Sequence, residues 1–290
     1  MNLGIRYETA YRYAEPVSFS THEIRLFPRV DVFTQVHRMK FETNSGAKVR
    51  FAQDIFDNCV ALCSFPETAS ELRFHLELDL ILEKKNPFDF LLQKSSEHLP
   101  FAYPPEFQRV LSPYLQKEPG APLEIPGWEF PSPTSPRSAV SVLVELNESL
   151  HGCVGYERRE EGPAYSPHET LRIGRGACRD VAPLLAAVLR QHGLAARLTS
   201  GYLREAASES LRAEGSLHAW TEVYLPGAGW IGMDATNGIF ANHNFIVAAV
   251  GVTPADVTPI DGSFSPRQVA TPQMTSRLEL VNLGGASDAA

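Results

Sequence analysis

Near residue 75 the chain alternates strictly, with Leu72, Phe74, Leu76, Leu78 and Leu80 interleaved with Arg73, His75, Glu77 and Asp79. A period of two places each set on its own face of a pleated strand, one face dry and one wet. The opening stretch behaves alike, with Tyr7, Thr9, Tyr11 and Tyr13 sharing a face. Turn-forming clusters at Asn44-Ser45-Gly46-Ala47 and Phe56-Asp57-Asn58 separate such runs, as a small antiparallel sandwich requires. Residues 1–95 are therefore expected to form an amino-terminal β domain.

The pattern then changes. Residues 96–136 carry Pro104-Pro105, Pro119, Pro122, Pro126, Pro131, Pro133 and Pro136, which reads as a linker packed on a surface, with a short helix at Glu106 to Leu111. Val140, Leu143, Val144 and Leu150 suit an amphipathic helix over Ser138 to Leu150, opening a second domain at 137–290. The clearest helix spans 179–193: Val181, Leu184, Leu185, Val188 and Leu189 recur at helical spacing, and Gly193 stands where a left-handed cap belongs. Strand-like runs follow at Ala196 to Leu203, His218 to Leu225 and Trp230 to Asp234, the last two joined by a Pro-Gly-Ala-Gly turn. A helix leading into an antiparallel meander is an α+β layout.

Composition narrows the classes. A chain of 290 residues fits two domains at roughly 100–200 residues each, and 43% hydrophobic residues with 22 Pro and 20 Gly scattered along it exclude disordered and collagen-like classes. A formal charge of -8, with no basic run, gives no footprint for nucleic acid. Apolar stretches such as Phe245 to Val252 stop far short of the ~18 residues that cross a bilayer, so no membrane partner is expected. The start lacks a basic and an apolar signal region, and a cytoplasmic location is expected. Cys59, Cys63, Cys153 and Cys178 are too few and too irregular for a disulfide framework and are expected to be free thiols. The histidines show no metal-ligand spacing with Cys or carboxylates, so neither a metal nor a cofactor is implied.

Cys178 stands immediately before the strongest helix, where free first-turn N–H groups favour a thiolate and can donate to a developing oxyanion. Gly174 and Gly176 are expected to let the backbone turn sharply there and leave room for a substrate carbonyl. His218 opens a strand whose polar face also carries Trp220, Glu222 and Tyr224. Asp234 ends the next strand, within reach of a histidine on its neighbour, whose tautomer it would fix.

These residues carry a resemblance. Gly176-Ala177-Cys178-Arg179-Asp180, Gly193-Leu194-Ala195-Ala196-Arg197 before Gly201-Tyr202, His218-Ala219-Trp220, and Gly229-Trp230 before Asp234-Ala235-Thr236-Asn237 resemble the transglutaminase-like superfamily in its bacterial, cysteine-protease-like branch. Tyr11-Arg12-Tyr13, Pro16-Val17, Arg25-Leu26 and Pro28-Arg29 are similar to the β region that precedes the core in bacterial members. The resemblance implies a papain-like α+β core with Cys178 as nucleophile, His218 as general base and acid, and Asp234 as orienting carboxylate. Three departures stand out: Asp234-Ala235-Thr236 in place of Asp-Pro-Thr, Pro183 early in the nucleophile helix, and Phe245 with Gly251-Val252-Thr253-Pro254 where relatives carry a His and then Gly-Arg-Asp-Tyr.

Around that set, Cys59, Cys63 and Cys153 are expected as core thiols, Trp220 and Trp230 as packing residues, and Asp180 as a partner of the helix dipole. Glu222 is left open between a hydrogen bond supporting His218 and solvent exposure. The polar stretch from Arg204 to Leu217 is expected to act as a gate beside the site. The expected reaction is amide acyl transfer to a peptide or protein substrate, hydrolysis before transamidation, through an acyl-thioester on Cys178. The alternative is a non-catalytic peptide-binding or assembly module on the same fold. The oligomeric state is not legible.

Overall fold

A computed structural model describes residues 1–159, 162–204, 217–266 and 272–284. Strand β1 (Asn2–Phe19) pairs antiparallel with β6 (Ala69–Leu82), and β3 (Thr34–Thr43) lines the far side of β6. Three further strands, β2 (His22–Ile24), β4 (Lys48–Gln53) and β5 (Cys59–Ser64), form a second sheet in the order β2-β5-β4. The alternation works as the sequence implies. Leu3, Ile5 and Tyr7 of β1 and Leu72, Phe74, Leu76, Leu78 and Leu80 of β6 are buried against Ile24, Ala61 and Cys63 of the second sheet. On the outer face, Arg6, Arg12 and Arg38 pair with Asp79, Glu71 and Glu77, the first pair partly buried and the other two with exposed arginines and of little individual weight.

The linker is tied at both ends by β7 (His98–Leu99), which pairs with β8 (Arg137–Ser138). Between them α1 (Pro105–Leu111) opens on a proline, whose missing N–H no helix start requires. The buried Tyr103 fastens the linker to the second domain: its hydroxyl donates to Tyr224 O at 2.7 Å and accepts from Ala195 N at 3.0 Å.

The second domain begins with α2 (Ala139–Cys153), capped by Ser138. After it come β9 (Gly155–Tyr156), α3 (Pro167–Ile173), β10 (Arg175–Gly176) and α4 (Cys178–Gln191). A five-stranded antiparallel sheet follows, from β11 (Ala196–Leu203), β12 (Leu217–Leu225), β13 (Gly229–Asp234), β14 (Ile239–Phe240) and β15 (Phe245–Gly251), in the order β14-β13-β12-β11-β15. The apolar stripe of α4 buries Val181, Leu184, Leu185, Val188 and Leu189 against Val142, Leu143 and Leu146 of α2 and Val223, Leu225 and Met233 of the sheet. Helix α4 starts one residue before the expected 179, so Cys178 is its first residue, and it passes through Pro183. The proline has no N–H for the Arg179 carbonyl, one turn earlier.

The last strands return to the first domain: β16 (Ile260–Asp261) pairs with β2, and β17 (Phe264–Ser265) and β18 (Gln273–Asn282) pair with β1. The division at 137–290 did not anticipate this. Without β18 one edge of β1 would stand open along ten residue pairs, and Leu278 and Leu280 pack on the first core. The two domains also share a core, since Tyr202, Ile246 and Ala248 of the second sheet belong to the apolar cluster of the first domain. No helix among the described residues is long and apolar enough to cross a membrane.

Candidate active site

The path into Cys178 is fixed locally. Helix α3 ends on Gly174 in the left-handed region, at φ 69°, and β10 then runs parallel to β9, pairing Gly176 with Tyr156. Asp180, fully buried in the first turn of α4, accepts the Ala177 N–H at 2.9 Å and so caps the helix. Its other oxygen accepts from Arg159 Nη1 at 2.6 Å and from Tyr165 N at 2.8 Å, and the Arg159 guanidinium lies 3.5 Å from the centre of the Tyr165 ring. Asp180 is thus more than a partner of the helix dipole: it ties the preceding loop to the head of the helix. The bareness of Gly176 serves this carboxylate rather than a substrate, because a Cβ there would stand 2.9 Å from the Asp180 Cβ.

His218 and Asp234 come together as adjacent antiparallel strands allow. The imidazole Nε2 lies 2.8 Å from Asp234 Oδ2, and both side chains are about 1% exposed. Oδ2 also accepts from Asn237 Nδ2 at 2.7 Å, while Oδ1 accepts from the N–H groups of Thr236 at 3.0 Å and Asn237 at 3.4 Å. Burial opposes a charged ring at His218, but the charges of Asp234 and Cys178, and hydrogen bonding to both, outweigh it and raise His218 to about 10. Burial likewise opposes the Asp234 carboxylate, and the attraction and hydrogen bonds of His218 and Asn237 overcome it, holding its carboxyl below the usual range. Nδ1 has no hydrogen bond of regular geometry, and the group that interacts with the ring besides Asp234 is Cys178, a partly exposed residue at the head of α4, a loose arrangement of the kind common before substrate binds.

Aromatic rings wall the histidine. Trp220 stacks near His218 with centroids 6.1 Å apart, and Phe245 stands 6.1 Å from the same ring and 5.3 Å from Trp220. Phe245, one of the departures noted in the sequence, is here part of that wall. Trp220 is buried; Trp230 is half-buried beneath the Arg197 guanidinium, 4.3 Å from its ring centre. Glu222 supports neither alternative weighed for it: it is buried and pairs with Arg197, its cross-strand neighbour, at 2.6 Å. All four cysteines are free, and burial pushes Cys63 up to about 11 and Cys153 and Cys59 upward. Among the described residues no group of three or more His, Cys, Asp or Glu is placed to hold a metal. Of the expected gate, residues 205–216 lie outside the described residues; Arg204 N donates to Asn244 O at 2.9 Å.

Two supports escaped the sequence reading. Asn237 was legible in principle, since Asp-x-Thr-Asn is a pattern in which a side chain caps its own turn. Arg159 sits in an irregular loop 21 positions before Asp180, with no periodicity to mark it.

Comparison with known proteins places the chain. Residues 132–235 match the transglutaminase-like superfamily, and residues 3–80 match the bacterial transglutaminase-like N-terminal region. An uncharacterized protein of Mycobacterium leprae is 28% identical over 273 residues, spanning 91% of this chain and 94% of its own. Another, from Mycobacterium tuberculosis, is 32% identical over 139 residues, 46% of this chain and 44% of its own. In three dimensions the fold matches a "Putative Cysteine Protease from Cytophaga hutchinsonii" with a TM-score of 0.69 at 16% identity, covering 98% of this chain and 91% of that one.

Proposed function

We propose that this chain, which carries a transglutaminase-like core behind a bacterial transglutaminase-like N-terminal region, is a cysteine-dependent amidohydrolase acting on peptide or carboxamide bonds. The reading is carried by one observation: a buried, hydrogen-bonded His218–Asp234 pair beside a thiol at the head of a helix. In this mechanism His218 takes the proton of Cys178, and the sulfur attacks the carbonyl carbon as the π pair moves to oxygen. The Ala177 N–H is committed to Asp180, which leaves the Cys178 N–H to steady that oxyanion. Collapse of the adduct breaks the C–N bond, His218 returns the proton to the departing amine, and an acyl-thioester remains. Water, deprotonated by His218, attacks the thioester; the C–S bond breaks and the sulfur recovers its proton. Asp234 keeps Nε2 occupied and steadies the imidazolium throughout.

An amine in place of water would give transamidation with the same residues. Cys178 is partly exposed, and water far outnumbers any amine in solution, which favours hydrolysis. Four free cysteines suit a reducing compartment, and action in the cytoplasm on a peptide or protein is part of the proposal. Labelling with a thiol-directed electrophile tests it. Rapid modification is expected at Cys178, abolished in Cys178→Ala and retained in Cys153→Ala, together with hydrolysis of peptide substrates that Cys178→Ala lacks. Equal labelling of Cys178→Ala and the parent chain sinks the reading.

A further inference from the structure

Helix α2 presents two polar side chains, four residues apart and so on one face, to the turn that carries Asp234. Asn147, 1% exposed among buried leucines, donates through Nδ2 to Ile239 O at 3.2 Å. His151 Nδ1 lies 3.0 Å from Thr236 O, an acceptor, so Nδ1 carries the hydrogen. The imidazole covers Gly238, where a Cβ would stand 3.0 Å from a ring carbon and where φ is +72°.

The Thr236 carbonyl belongs to the same peptide unit as the Asn237 N–H, and that N–H reaches Asp234 Oδ1 at 3.4 Å. One rigid plane therefore has His151 at its oxygen and Asp234 at its hydrogen. Asp234 in turn holds His218 through Oδ2.

We propose that His151 is a positioning residue for the Asp234–His218 pair, acting through the 236–237 peptide, with Asn147 pinning the far end of the same turn. The inference rests on the reading of Cys178, His218 and Asp234 as the reacting set. Its logic is steric and electrostatic. The Thr236-Asn237-Gly238 turn has no large apolar side chain of its own to anchor it, so hydrogen bonds to its backbone weigh heavily in setting its peptide planes. Fixing the Thr236 oxygen fixes the direction of the Asn237 N–H, and with it the plane of the carboxylate that aims the imidazole. Burial of Asn147 points the same way. Its Oδ1 is buried with no hydrogen-bond partner, an arrangement that a leucine would improve unless the Nδ2 contact were needed.

The test follows iodoacetamide alkylation of Cys178 in the full chain by peptide mass mapping at pH 7, with Cys59 as internal reference and melting temperature recorded in parallel. In His151→Phe, which keeps a flat ring but no donor, the Cys178 rate is expected to fall about tenfold while the Cys59 rate holds. In His151→Asn, whose amide N–H stands near the place of Nδ1–H, the rate is expected to return to within about threefold of the parent. Should His151→Phe not fold, His151→Gln, with its donor displaced along the chain, is held to the same expectation of loss. A parent-like rate in the donor-less or displaced variant overturns the inference. So does an equal fall in His151→Asn, because ring packing over Gly238 would then be what matters. His218→Ala separates the two levels. If it slows alkylation while His151→Phe does not, only this inference fails; if it alkylates like the parent, the reading of the site fails and takes the inference with it.

Discussion

Asp234 receives hydrogen bonds from His218, from the Asn237 side chain and from two backbone N–H groups, and this set determines how the pair responds to pH. An unfolded histidine titrates near ~6.5, and His218 is raised to about 10 in the folded chain. A raised group stabilises the fold fully below its unfolded value, and that contribution fades as pH climbs toward the folded one. Asp234 is lowered, so its contribution is present above the unfolded carboxylate value of ~3.9 and is lost as pH falls through the folded value. The melting temperature of the parent chain should therefore exceed that of Asp234→Asn most between about pH 4 and 6.5, and the gap should narrow steadily toward pH 10. A gap that stays constant over pH 5–10 would mean that the pair is not ionic. At this scale the motif singled out the three candidate groups, Cys178, His218 and Asp234, because each residue type is tied to its chemistry. It did not reveal Asn237, Arg159 or His151, whose parts depend on where a backbone carbonyl or a carboxylate happens to lie.

Two glycines show how far the local pattern governs whole elements. Gly201 lies opposite His218 in β11, at the point where the register with β15 shifts, and a Cβ there would stand 2.0 Å from Ile246 O. Gly201→Ala is expected to cost about 1–3 kcal/mol in urea unfolding, by driving apart strands that cannot yield without moving His218. Gly152 lies in the last turn of α2 with nothing within 4 Å of its would-be Cβ. Gly152→Ala is expected to stabilise by about 0.4–1 kcal/mol, since it restricts the unfolded chain without strain in the folded one. Destabilisation by Gly152→Ala would refute that account. Helix α4 was legible almost to the residue because its apolar period is long and unbroken. The bulge at Gly201 was not, because a lone glycine in a strand does not say which neighbour comes close.

Across the whole molecule the two domains are joined by hydrogen bonds that no local pattern announces. Asn58, fully buried in the turn before β5, donates to Val250 O at 2.8 Å and accepts from Val250 N at 2.8 Å, pairing with β15 as a strand would. Tyr202 reaches back to donate to Leu26 O at 2.7 Å. Asn58→Ala would strand both polar groups of Val250 in the interior, and a loss of about 2–4 kcal/mol is expected. Because the domains share a core, tryptophan fluorescence, which reports Trp128, Trp220 and Trp230 of the linker and second domain, should follow the same urea transition as far-UV circular dichroism of the whole chain. Two separated transitions would instead make the domains independent.

The sequence by itself determined the alternating strands of the first domain, the span of α4, the antiparallel meander after it, and the order in which Cys178, His218 and Asp234 arise. All of these rest on short-range regularities: side-chain period, turn residues, and chemistry attached to a residue type. Only the tertiary structure decided that β16, β17 and β18 return to the first domain, that Glu222 belongs to Arg197, that Asp180 ties Arg159 to the head of α4, and that His151 faces the turn of Asp234. Each of those contacts depends on strand register or on how an element is seated in space. A hydrogen bond between residues far apart in the chain imposes no period on the residues between them, so it leaves no local trace to read.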